Sequence, residues 1–316
     1  MLDRVVERAL RITPSTLQRR LAGGSQAEPI VYWSETYEWP SAATWLDPIR
    51  RGFETIATVR RTPVASPAPG VYPAILQIAG RSHAIAIDIA DTVELDPAHA
   101  TSYVAYFKMQ YRRGGYGLDN VFPGGFIPAS REIDGWLPYL RALRDRSGFR
   151  NDVTARFGLE FEAGLRREVV ERLRREPALR YPGGAKIRYS KALREVATSR
   201  VAIDLPGNGP MCFRLIDYMA VGACIIAYPH AAELPVPLRD GVHLVYMRED
   251  LSDLVELCRY FASHDAERER LCLASRQYYD QHLRPDRLAR YYLATVLERL
   301  ATAPSPALAA SATGHR

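Results

Sequence analysis

Strands and helices alternate regularly along the second half of the chain, and this pattern restricts its fold more than any other feature of the sequence. We predict strands at residues 149–157, 200–206, 223–229 and 243–247. Segments with helical periodicity separate the first three of these strands, and another follows the fourth. Consecutive parallel strands need a crossover, usually a helix, so this order predicts a parallel sheet with helices on both faces. The second half is therefore predicted to be a Rossmann-like α/β domain.

The first half of the chain is less regular. We predict strands at 30–34, 83–91 and 102–111, a helix at 45–56, a loop at 62–73, and a glycine-rich segment at 112–126. A chain of 316 residues has room for two domains. We place an N-terminal α/β domain at 1–134, a C-terminal domain at 135–284, a separate helix at 285–302 and a disordered tail at 303–316.

Composition and hydropathy predict a globular protein of the cytoplasm. Hydrophobic residues make up 47% of the chain and charged residues 25%. The longest strongly apolar stretch, 219–228, has about half of the roughly 20 residues that a membrane-spanning helix needs. Charges interleave with apolar residues over the first twelve positions, so we expect no export signal. Residues 1–24 are predicted to form an amphipathic helix, so peripheral contact with a membrane surface is an alternative.

A glycine loop in the second half carries the clearest functional pattern. The strand predicted at 200–206 leads into Gly207, Asn208, Gly209 and Pro210, and a helix begins near Cys212. Glycines let the backbone approach a ligand closely, and the free N–H groups at a helix N-terminus attract an anion. The loop therefore predicts a phosphate-binding site.

Two charged residues follow this loop at helical spacing. Arg214 lies in the first turn of the predicted helix, where a guanidinium can bind a phosphate. Asp217 lies three residues later on the same face and can accept hydrogen bonds from a ribose diol. Gly222 ends the helix as a left-handed cap. The order of loop, arginine, acid and glycine, with the string DYMAVG at 217–222, resembles the donor domain of GT-B-fold glycosyltransferases, most closely the exostosin-like, CAP10-like and family-1-type groups.

The resemblance covers about residues 186–297 and implies a fold and a function. The fold would be two Rossmann-like domains of the GT-B kind, with a short first domain and a last helix, after Pro285, that crosses back to it. The donor would be a nucleoside-diphosphate sugar, with UDP or GDP as the expected carrier, bound by Asp217 at the ribose and Arg214 at the diphosphate. The acceptor would be a hydroxyl of a glycan, a lipid-linked molecule or a small molecule. No tightly bound cofactor is expected, since the nucleotide sugar is a substrate.

Two further cations are candidates for the donor site. Arg156 ends the strand predicted at 149–157, and ligands of open α/β sheets lie outside the carboxyl ends of strands. Lys186, in the segment GGAKIRYS, could approach the diphosphate. An ordinary surface charge is the alternative reading for both residues.

A transferase that inverts the configuration of its donor sugar needs a general base near the acceptor hydroxyl. Loops of the first domain must supply it. Asp119, in the glycine-rich segment, is the first candidate, and Glu35, after the first strand, is the second. A retaining enzyme would need no such base, and the sequence leaves the stereochemistry open.

The seven histidines are scattered, and no pair of acids has the spacing of a metal-diphosphate site. We therefore expect a metal-independent site in which cations and a helix N-terminus stabilise the leaving diphosphate.

Positive charge is concentrated in one part of the chain. Residues 131–200 contain 17 Lys and Arg against 10 Asp and Glu, whereas the whole chain has a net charge of +6. Such a segment attracts phosphate, so a basic nucleic-acid-binding protein is the alternative function. No recognition motif or aromatic stacking platform accompanies the charge, and nucleic acid is not the expected partner. A nucleotide-sugar epimerase or hydrolase on the same fold is a further alternative.

Overall fold

The computed structural model describes residues 28–146 and 148–302, which contain ten strands. Six strands belong to the first sheet: β1 Ile30–Ser34, β2 Thr58–Thr62, β3 Val71–Ile78, β4 Arg81–Asp88, β5 Ala105–Lys108 and β6 Val121–Pro123. Four belong to the second: β7 Asn151–Thr154, β8 Ser199–Asp204, β9 Cys224–Ala227 and β10 Val245–Tyr246. The N-terminal helix and the tail expected from the sequence lie outside the described residues.

Nine α-helices connect or cover these strands within the described ranges. They are α1 Ala43–Glu54, α2 Pro97–Ala100, α3 Ile133–Asp145, α4 Ala163–Arg174, α5 Tyr189–Ala197, α6 Phe213–Val221, α7 Leu254–Ser263, α8 Asp265–Tyr278 and α9 Pro285–Thr302. A short 3₁₀ helix, Pro40–Ala42, precedes α1, and a π-helical turn, Tyr279–Leu283, follows α8. None of these helices is both long and apolar enough to cross a membrane.

The second sheet has the order β10-β9-β8-β7, with every neighbouring pair parallel, as the sequence predicts. Its two inner strands, β8 and β9, are buried on both faces. In β8, Val201 and Ile203 pack in one apolar cluster with α4 and α7, whereas Ala202 packs in another with α5 and α6. Burial on both faces explains the apolar runs at 201–203 and 224–227.

The first sheet is mixed, with the order β2-β1-β3-β4-β5-β6. β3 runs antiparallel to both β1 and β4, and the other neighbouring pairs are parallel. The sequence analysis missed β2, an edge strand whose Arg60 and Arg61 are exposed, and it missed β3 because Pro73 lies within that strand. A two-residue turn at Ala79 and Gly80, both with positive φ, closes the β3–β4 hairpin.

The last described helix, α9, crosses back to the first domain, as the resemblance implies. The ring of Tyr292 stacks on Phe107 of β5 with centroids 4.0 Å apart, and the Tyr292 hydroxyl donates a hydrogen bond to the carbonyl of Gly124. α9 also packs along α1, where a Cβ at Gly52 would overlap the backbone of Pro285. One apolar cluster therefore continues from the first domain through α9 into the second.

Candidate functional site

A cavity of about 390 Å³ opens at the carboxyl edge of the second sheet, where the first domain faces it. The second domain lines it with the segments that follow β7 and β8 and with the start of α6, and the first domain contributes Asp91 and Ala129. Ligands of parallel α/β sheets bind at this edge, because the loops and helix N-termini after the strands converge there. This cavity is the candidate donor site.

Arg214, the second residue of α6, lines the cavity with a guanidinium held on three sides. Its Nη2 donates a hydrogen bond to the Leu205 carbonyl at 2.8 Å, and its Nε lies 3.5 Å from Oδ1 of Asp204. The guanidinium also lies over the ring of Phe157, 4.7 Å from the centroid. These contacts fix a positive charge beside the loop that the sequence assigns to phosphate.

The carboxylate of Asp204, at the end of β8, is itself held by a second buried side chain. Its Oδ2 lies 3.2 Å from Nε2 of His230, and Nδ1 of His230 lies 3.1 Å from the Tyr246 hydroxyl. Asp204 is 1% exposed and His230 is 3% exposed. A buried polar chain thus leads from β10 to the guanidinium of Arg214.

Arg166 is a cavity residue that the sequence analysis missed. It lies in the first turn of α4, is 2% exposed, and donates hydrogen bonds to the carbonyls of Gly158 and Pro206. Burial and the positive charge of Arg214 both lower the pKa of Arg166. The two guanidinium groups therefore concentrate positive potential in one buried place.

The sequence contained a signal for Arg166. Acids and bases interleave over residues 165–177, a pattern typical of a solvated helix face. However, Arg166 has the same helical phase as Val169, Val170 and Leu173, which are all buried. A cation within the apolar stripe of a helix indicates a buried charge with a specific partner.

Asp217 lines the same cavity and links the two domains. Its Oδ1 accepts hydrogen bonds from the backbone N–H of Ala129 at 3.0 Å and from the Tyr189 hydroxyl at 2.9 Å. Burial raises the pKa of Asp217 to about 7, although both hydrogen bonds and the charge of Arg214 oppose the shift. A carboxylate has about four acceptor positions, so it can still accept hydrogen bonds from a ligand hydroxyl.

The four residues of the glycine loop divide into two pairs. Gly207 and Asn208 line the cavity, whereas Gly209 and Pro210 are not part of its lining. Gly209 instead faces the first domain, where a Cβ would overlap the side chains of Asp91 and Gln110. A larger residue there would displace these two side chains, because the two domains approach each other closely.

The two other predicted cations also line the cavity, and they differ in whether they are paired with an acid. Arg156 forms a two-pronged ion pair with Glu195, with its Nη2 2.9 Å from Oε2 and its Nε 3.0 Å from Oε1. Lys186 is exposed and forms no ion pair within the described part of the chain. Lys186 is thus the freer of the two to meet a ligand.

The candidate bases lie away from this cavity. Asp119 forms an ion pair with Arg299 of α9 at 2.9 Å, and this contact lowers the pKa of Asp119. Glu35 is exposed after β1, where its N–H donates to the carbonyl of Thr62. The structure instead brings Asp91 to the cavity. Its sequence signal was its place at the end of the strand predicted at 83–91.

Within residues 28–146 and 148–302, no group of three or more His, Cys, Asp or Glu side chains is arranged to hold a metal ion. Much of the positive charge counted at 131–200 is paired internally. Ion pairs join Arg172 to Glu168, Arg175 to Glu171, and Arg180 and Arg200 to Asp152.

Comparison with known proteins relates the second half of the chain to a family. Residues 139–294 match the protein family described as glycosyl transferase-like. Among solved structures, a glycosyltransferase from Rickettsia africae ESF-5 is similar over 93% of this chain and 84% of that one, with 9% identity and a TM-score of 0.40, a likeness too weak to support an argument. No curated protein matches the sequence significantly. The family match, which spans the whole candidate site apart from its first-domain side, and the two-domain α/β architecture support a glycosyltransferase of the GT-B type.

Proposed function

We propose that this glycosyltransferase uses a nucleoside-diphosphate sugar as its donor and binds it in the cavity beside α6. The observation that carries the proposal is the pair of guanidinium groups, buried Arg166 and partly buried Arg214, next to a glycine loop and a helix N-terminus. Negative charge develops on the diphosphate as its bond to the sugar breaks. Cations held in advance by carbonyl groups, an acid and an aromatic ring stabilise that charge without reorganising.

The other cavity residues fit the remaining parts of such a donor. Asp217 would accept hydrogen bonds from the ribose hydroxyls, and Lys186 would approach the diphosphate from the exposed side. The proposal includes metal independence, because the two arginines supply the positive charge that a divalent cation would otherwise bring. A hydroxyl group is the proposed acceptor. The carrier base, the acceptor class and the cytoplasmic location stay predictions from the sequence.

A nucleotide-binding panel tests the donor site. UDP, GDP, dTDP, CDP and ADP are titrated against the wild type in the presence of a chelator, and binding is measured by calorimetry and thermal shift. A nucleotide at 100 times its dissociation constant should add about 2.7 kcal/mol of stability. We expect one or two of the five to bind.

Variants of two neighbouring arginines localise the binding. Arg214→Ala should weaken the nucleotide at least tenfold, and Arg166→Lys should also weaken it because its fork of hydrogen bonds is lost. Arg167→Ala is the matched control, since Arg167 adjoins Arg166 on α4 but is exposed. Wild-type affinity in Arg214→Ala would refute this site, and binding of none of the five nucleotides to the wild type would refute the proposed donor.

A further inference from the structure

The first domain places an acid in the donor cavity that the proposed donor contacts leave unused. Asp91 lies three residues after the end of β4 and is exposed to the cleft. Among the described residues that line the cavity, Asp91 and Asp217 are the only acids. Asp217 is buried and already accepts two hydrogen bonds from the protein. Asp91 is therefore the acid in this cavity that is free to exchange a proton with a substrate.

A single glutamine fixes Asp91 relative to both domains. Gln110, two residues after β5, is 1% exposed, and its Nε2 donates to Oδ1 of Asp91 at 2.8 Å. The same amide pairs with the backbone of Met211, donating to its carbonyl at 2.9 Å and accepting from its N–H at 3.1 Å. Met211 belongs to the segment between β8 and α6. The position of Asp91 is thus tied to the second domain through one buried amide.

The contact at Gly209 shows how close Asp91 lies to the loop assigned to phosphate. A Cβ at Gly209 would overlap both Oδ1 of Asp91 and the amide of Gln110. A carboxylate beside a diphosphate repels it and weakens binding. An acid at this place therefore works against donor affinity, which points to a role in the reaction rather than in binding.

Resting on the donor site proposed above, we infer that Asp91 is the general base of the transfer and that Gln110 is the positioning residue that aligns it. The Asp91 carboxylate takes the proton of the acceptor hydroxyl as that oxygen forms its bond to the anomeric carbon. The bond between the anomeric carbon and the diphosphate oxygen breaks, and its electron pair leaves with the nucleoside diphosphate, next to Arg214. The proton ends on Asp91, so atoms and charge balance.

The test separates binding from turnover. The nucleotide sugar that carries the best-bound nucleotide is the donor, water serves as the acceptor, and release of the nucleoside diphosphate is followed. Asp91→Asn should lower turnover at least 100-fold, within the range of a lost general base. Its affinity for the nucleoside diphosphate should stay within threefold of the wild type or become tighter. Glu94→Gln is the matched control, an exposed acid on the same segment outside the cavity, and should behave as the wild type.

Gln110→Glu tests the positioning role through a pH profile. Glutamate can still accept from the Met211 N–H, but it loses the donor to Asp91 and places a second acid beside it. The acid limb of the pH–rate profile should therefore move to higher pH, with the rate recovering as the pH rises. A merely structural role would lower the rate equally at every pH, and that result would overturn the assignment of Gln110.

Three outcomes overturn the inference and differ from one another. Turnover of Asp91→Asn within threefold of the wild type refutes the base. A wild type that binds the donor but releases no nucleoside diphosphate also counts against it, because a base at this place would activate water. A wild type that binds no nucleoside diphosphate removes the donor site itself, and the role of Asp91 with it.

Discussion

Gly52 lies where α1 of the first domain meets the start of α9, and replacing it with alanine tests how tightly these helices pack. A Cβ on Gly52 would lie 2.7 Å from the carbonyl carbon of Pro285 and 3.0 Å from the Cβ of Ala289. Packed interiors have no spare volume for a methyl group at such distances. Because the nearest atoms belong to the backbone, rotation of a side chain cannot relieve the overlap.

Two effects oppose each other in Gly52→Ala. Alanine in a helix interior is more stable than glycine by about 1 kcal/mol. A methyl group forced into a packed contact costs up to about 3 kcal/mol, and the upper end applies when backbone must move. We therefore expect the free energy of unfolding to fall by about 2 kcal/mol, seen as a lower urea midpoint with an unchanged slope.

Gly135→Ala is the matched control for this substitution. Gly135 lies in the first turn of α3, and a Cβ there would meet no atom within 4 Å. Only helix propensity remains, so this variant should gain up to about 1 kcal/mol. If Gly52→Ala proved as stable as Gly135→Ala, the close contact between α1 and α9 would be refuted.

Three further substitutions test buried polar groups by urea unfolding. The free energy of unfolding of the wild type should fall as the pH rises from about 4 to about 7, because folded Asp217, with a pKa of about 7, holds a proton that the unfolded chain releases near 3.8. Asp217→Asn should remove this pH dependence, and an unchanged pH dependence would contradict the assignment. Tyr292→Phe should cost about 1 kcal/mol through the lost hydrogen bond to Gly124, and no change in midpoint would argue against that bond. Lys108→Met leaves buried Asp88 without the amine 2.9 Å away and should lower the free energy of unfolding by about 3–5 kcal/mol. Adding Asp88→Asn should restore most of the lost stability. A double variant no more stable than the single one would exclude this explanation.

The second sheet could be predicted because its inner strands, β8 and β9, are buried on both faces and carry apolar runs, and because helical segments separate β7, β8 and β9 in sequence. The loop after β8 could be predicted as well, since its glycines and the following Arg214 are neighbours along the chain. The first sheet was predicted less well. β2 is an exposed edge with two arginines, and β3 contains a proline, so neither shows the pattern of a strand.

The candidate site divides in the same way. Arg214, Asp217 and the cavity-lining half of the glycine loop lie within eleven consecutive residues, and the expectations from the sequence concentrated there. Asp91 and Arg166 reach the cavity only through the tertiary fold, from a different domain and a different helix. Local pattern marks Arg166 as a buried charge and Asp91 as an acid at a strand end, but it does not show that the two share a cavity. The choice of Asp119 as a base rested on its place in the glycine-rich segment of the first domain.

The return of α9 to the first domain has a consequence for how the protein is made. Tyr292 covers Phe53 and Phe107, which are separated from it by more than 180 residues of chain. During synthesis from the N-terminus, that apolar face stays bare until α9 has emerged, while the second domain can already close around its own local contacts. The first half of the chain therefore cannot complete its packing until the last described helix has been made.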